Sequence, residues 1–307
     1  MRSAPKAIGP LLADLPPKSW ADTLQKTAAL RRYASIAKPT LAQARAAAAE
    51  LGMGERGFYR LVRAYEELGT PRDVRSVRGS PRRADPRVNT HIRQVAAELG
   101  RGATVAALLR EVSRRCARDG LDAPTLSKLV TRLDDAPAAS DLRSVLGTGA
   151  DLILDVAPIP IPIEAEGATA AFGYFGAVIA AAGGRVLSWR LTQAAFAEID
   201  AQDLVDGVPP ADEPRTMVLS QGLAKPSADR CDAWRRKGLL VGPDDGAIRV
   251  GAAMRAVFGR HIGRIRILEV APPPGRTADR GVPLAVAREV VGLLVARRNE
   301  SLTRTRT

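Results

Sequence analysis

Two sets of residues in this 307-residue chain have types and spacings suited to chemistry. The first is a single carboxylate. Asp155 follows the apolar run Leu152-Ile153-Leu154 in the segment DLILDVAPIPIPI. An acid within an apolar strand is costly unless it is paired or binds a metal, so the way Asp155 is satisfied bears directly on what the chain does. The second set is cationic. Arg56, Arg60 and Arg63 recur at helical spacing. Arg78, Arg82 and Arg83 lie in the Gly- and Pro-containing run 71–86, and Lys128 and Arg132 fall in the segment APTLSKLVTRL. Guanidinium forks match phosphate oxygens, which makes double-stranded DNA the expected partner. Cys116 and Cys231 lie in no zinc-like spacing and are read as buried thiols, and His91 as a partly exposed helix residue.

The cations need helices to carry them. Thr40 caps the Ala-rich run TLAQARAAAAELG, Gly52 ends it, and RGFYRLVRAYEELG continues as a second helix that buries Phe58, Leu61, Val62 and Tyr65. Helix, Gly-containing turn, helix is the helix-turn-helix pattern, whose second helix bears Arg56, Arg60 and Arg63. Ser19 opens a short helix leading into this module, with Trp20, Leu24 and Leu30 on one side. Residues 86–133 repeat the theme with three helices, the last bearing Lys128 and Arg132. From residue 151 the texture changes to strands. Asp155 is expected on the first, and a hairpin turning at Gly183-Gly184 follows. Further strands are expected at RTMVLSQGL and RIRILEV. Helices are expected over TQAAFAEIDAQDLVDGV, SADRCDAWRRKG and GAIRVGAAMRAVFGRHIG, with VPLAVAREVVGLLVARRN as a closing helix and SLTRTRT as a frayed end. Strands first meandering and then alternating with helices indicate a mixed α/β sheet. The domain reading is therefore 1–80, 81–140 and 141–307.

Charge supports the division. Residues 1–140 carry 25 Lys and Arg against 14 Asp and Glu, whereas the remaining 167 carry 21 against 19. A basic first part joined to a near-neutral second part is the footprint of a polyanion binder. No apolar run approaches the roughly 20 residues that span a membrane. With two widely separated cysteines, the expected location is the cytoplasm.

The chain resembles bacterial transposases of the phage Mu and retroviral-integrase type. AAAAELGMGERGFYRLVRAYEELG is similar to their first helix-turn-helix, and REVSRRCARDGLDAPTLSKLVTRL to the module that follows it. The resemblance implies two N-terminal all-α helix-turn-helix modules followed by an α/β RNase H-like integrase core. It implies DNA as partner, with an active transposase or a second copy of the chain as a further one. In this family three acids hold two Mg²⁺ ions, which clamp the attacking and leaving oxygens of a phosphodiester. Asp155 falls on the first acid. The His-Thr that usually follows is Val156-Ala157, and the Asp-Asn-Gly of the fourth strand is Ser220-Gln221-Gly222. Pro283 or Leu284 stands where the last Glu is expected, with Glu289 one to two turns beyond as a substitute. Asp200, Asp203, Asp244, Asp245, Glu269 and Asp279 are further acids in the region. With two of three ligands replaced, the expectation is a catalytically inactive core with no cofactor. The alternative is an active recombinase that uses Mg²⁺ through substituted ligands.

Overall fold

The computed structural model describes residues 8–68, 85–99, 105–125, 141–165, 168–196, 198–242, 248–271 and 280–304. Contacts group the chain into two compact units, residues 1–73 with 138–307, and residues 74–137.

The larger unit begins with α1 (Ile8–Ala13), one turn of 3₁₀ helix, and α2 (Trp20–Ser35). Next come α3 (Leu41–Glu50) and α4 (Glu55–Leu68). Thr40 and Gln43 form a reciprocal capping box at the start of α3. The end of α3 closes by the amides of Gly52 and Met53 bonding to Ala49 and Ala48, with Gly52 at φ 61°. A three-helix core of Leu30, Tyr33, Ala44, Ala48, Phe58 and Leu61 joins α2, α3 and α4. The α2 helix does more than lead into this module. Trp20 at its start is fully buried in the core of the sheet below, and its indole donates to the Leu15 carbonyl at 3.0 Å.

In the second unit α5 (Pro86–Leu99) packs on α6 (Val105–Arg118) through Val88, Ile92, Val95, Leu108, Val112 and Cys116. Arg115 of α6 bonds Glu98 of α5 and Glu111 of its own helix. Arg114 and Arg115 together hold the Glu111 carboxyl down to about 2. Gly120 at φ 66° closes α6 as Gly52 closes α3. His91 departs from expectation. It is 9% exposed, with Nε2 2.8 Å from Asp119 Oδ2, because it sits on the face of α5 turned toward the end of α6. The third helix expected here, with Lys128 and Arg132, lies outside the described residues, as do Arg78, Arg82 and Arg83.

After α7 (Leu142–Leu146), β1 (Leu152–Ala165) pairs antiparallel with β2 (Ala168–Ala180), and β2 with β3 (Val186–Thr192). The β2–β3 turn has Gly183 at φ 90° and Gly184 at φ 65°. On its other side β1 pairs in parallel with β4 (Arg215–Leu219), and β4 with β5 (Leu239–Val241), for the order β3-β2-β1-β4-β5. The β4 ladder reaches only Leu152 to Leu154 of β1. Pro158, Pro160 and Pro162 lie beyond it, where no amide donor is needed, and the Pro158 and Pro162 carbonyls accept from Leu268 and Val282.

Alternation along β1 sorts its side chains. Leu152, Leu154 and Val156 pack with α8 (Glu198–Asp206) and Trp234 of α9 (Ala228–Arg236). Ile153, Ala157 and Ile159 pack with α10 (Ala252–Phe258) and α11 (Leu284–Arg304). Helices therefore cover both faces of the sheet, an α/β architecture. The expected strand RIRILEV is reduced to β7 (Ile265–Arg266), which pairs only with β6 (His261–Ile262). The α11 helix also runs further than expected, to Arg304. Its Asn299 accepts from the Val186 amide at 3.1 Å and donates to the Val186 carbonyl at 2.9 Å, which ties down the helix end.

Candidate functional site

Asp155 is fully buried on the α10 face of β1. Its carboxylate is not bare. Oδ1 accepts the amides of Val156 at 2.8 Å and Gly251 at 2.9 Å, and Oδ2 accepts that of Met254 at 3.1 Å. Gly251 is the N-cap of α10 and Met254 its third residue, so both are amides that a helix leaves without internal partners. A helix usually receives this service from its own N-cap side chain. Here that residue is a glycine at φ 69°, and the strand supplies the cap instead. Glycine is required there twice over, because a Cβ would also come within 3.1 Å of Ala157 Cβ. Burial pushes the Asp155 pKa up, opposed by the donors from Met254, Gly251 and Val156.

Ser220 follows β4 directly, and its amide donates to the Leu154 carbonyl at 2.9 Å. Its buried hydroxyl lies close enough to lower the Asp155 pKa, but it is not aligned for a hydrogen bond. The fold thus brings the positions expected for the first and second acids side by side. Gln221 is exposed, and its amide donates to Ile248. Gly222 lets this corner close: a Cβ there would stand 2.8 Å from Val156 Cγ2 and 2.9 Å from Val250 Cγ2. Glu289 lies elsewhere, exposed on α11 beside Gly9 of α1. Asp200 and Asp203 pair with Arg190, and Glu269 with Arg255 at 3.6 Å. Asp244, Asp245 and Asp279 fall outside the described residues.

This donor set fits a pair of magnesium ions poorly. Hard divalent cations are held by several charged oxygens. The one acid here spends both oxygens on main-chain donors, and its neighbour is a neutral serine. Among the described residues no three His, Cys, Asp or Glu side chains are grouped so as to hold a metal.

The α4 helix presents a different surface. Arg56, Tyr59, Arg60 and Arg63 are exposed, while Phe58, Leu61 and Ala64 are buried beneath them. Arg63 pairs with Glu67 at 2.9 Å but remains 82% exposed. Arg56 and Arg60 make no ion pair with any described residue. Sequence reasoning identified the arginines and missed Tyr59, which at 44% exposed is the sole aromatic among the exposed large apolar side chains described. It also missed Gly251 and Met254, which act through backbone amides and so carry no side-chain signal.

No helix among the described residues is long and apolar enough to cross a membrane. No protein-family model matches the chain, and no curated protein matches it.

Proposed function

We propose that this chain binds double-stranded DNA through its helix-turn-helix module and carries a transposase-like integrase core that does not cut. It would act in transposition or its regulation, by occupying an element end or by assembling with an active transposase or a second copy of itself. The observation that carries the reading is the face of α4: three exposed arginines at positions 56, 60 and 63 on the last helix of a three-helix module, the second of its α3–α4 pair. The strand order β3-β2-β1-β4-β5, with β4 and β5 parallel to β1, is in keeping with an RNase H-like core. The use of Asp155 as a helix cap supports the loss of catalysis, because a carboxylate committed to two α10 amides is withdrawn from metal binding.

Titration of duplex DNA against salt tests the binding. Replacing Arg60 and Arg63 by Ala removes two phosphate contacts and lowers the slope of log K against log salt by about 2. Unchanged binding in that double variant rules the assignment out. Incubation with Mg²⁺ or Mn²⁺ and DNA, beside Asp155→Asn, addresses the alternative of an active recombinase. Metal-dependent cleavage that disappears in a variant shown by circular dichroism to be folded establishes it.

A further inference from the structure

We infer that Tyr59 reads base edges while the arginines around it hold phosphates. The inference rests on the DNA-binding reading above and assigns the residue that gives it sequence preference. With 3.6 residues per turn, Arg56, Arg60 and Arg63 fall within about 60° of one another around α4, and Tyr59 lies about 60° to one side of Arg56. The aromatic ring therefore borders the cationic stripe on the same exposed side of the helix.

The ring is also held in place. Phe58 packs edge-on against Tyr33 in the module core at 4.9 Å between centroids, and Tyr59, 44% exposed, lies 6.3 Å from Phe58. The three rings form one cluster, of which Tyr59 is the exposed member. A braced aromatic loses little freedom on contact, whereas a long arginine must be ordered. Tyr59 carries no charge and releases no counterion, so a phosphate contact is not where its ring has most to offer. Apolar contact in the major groove falls on the thymine methyl, a group that distinguishes A·T from the other pairs. The ligand class is duplex DNA with an A·T pair at one fixed position of the site.

The test is selection of duplexes from a random pool by the full chain, followed by affinity measurements on the selected site and its single-base variants. The wild type is expected to discriminate about tenfold in favour of A·T at one position, within the usual cost of a mismatched pair. Tyr59→Phe keeps the ring and the preference. Tyr59→Ala abolishes the preference at that position and leaves the salt slope unchanged, and circular dichroism checks that it folds. Tyr59→Ala selecting the same site as wild type, or weakening all duplexes equally, overturns the inference but leaves DNA binding standing. A wild-type chain that binds no duplex at low salt removes both.

Discussion

Asp155 on β1 and Met254 on α10 stand 99 residues apart in the chain and are joined by one hydrogen bond of 3.1 Å from the Met254 amide to Oδ2. Together with the Gly251 bond to Oδ1, it converts a strand carboxylate into the cap of a helix.

Removing that cap should be expensive. Asp155→Ala strands the three buried amides of Val156, Gly251 and Met254, each worth about 1–3 kcal/mol when left unpaired, for a loss of roughly 3–9 kcal/mol in urea unfolding. Asp155→Asn keeps one acceptor and should lose about half of that. Because burial raises the pKa of Asp155 above its ordinary 3.8, its contribution is full below that value and declines as pH rises through the folded-state value. The stability gap between wild type and Asp155→Asn should therefore narrow as pH climbs from about 4 toward neutrality. A gap that widens over this range contradicts the assignment.

Two glycines with left-handed backbones separate strain from crowding. Gly52 has φ 61° and open space where a Cβ would stand, so Gly52→Ala should cost about 1–2 kcal/mol. Gly251 adds crowding by Arg255 at 3.0 Å and Ala157 at 3.1 Å, and Gly251→Ala should cost about 2–5 kcal/mol. Equal melting temperatures for the two variants would show that the α10 corner is looser than described.

Glu67 shares α4 with the arginine face and pairs with Arg63. Replacing it by Gln removes a negative charge from that face, which on the proposed DNA-binding reading would lie toward the phosphates. E67Q should tighten duplex binding roughly threefold at low salt, and the gain should fade as screening increases. Fluorescence anisotropy at two salt concentrations measures it. Weaker binding in E67Q would mean that the Arg63–Glu67 pair positions the arginine for contact.

Local signals made much of this legible. Thr40, Gly52 and the Gly183-Gly184 turn mark boundaries because caps and left-handed turns depend on residues close in sequence. The apolar run before Asp155 exposed the central strand for the same reason. The partners of Asp155 were hidden, since amides at positions 251 and 254 look like any others until the chain folds. β5, three residues long, is too short to show a period. Trp20 was placed with its helical neighbours, yet its burial is decided by the sheet. His91 was misjudged because Asp119 reaches it only through the packing of two helices.

The α2 helix has one foot in each of two interiors, with Trp20 sunk beneath the sheet and Tyr33 under α4. About 20 Å of continuous helix separates them. A swivel has no place in such a strut, so a force applied to the α3–α4 face would be borne by the sheet as well as by the three helices.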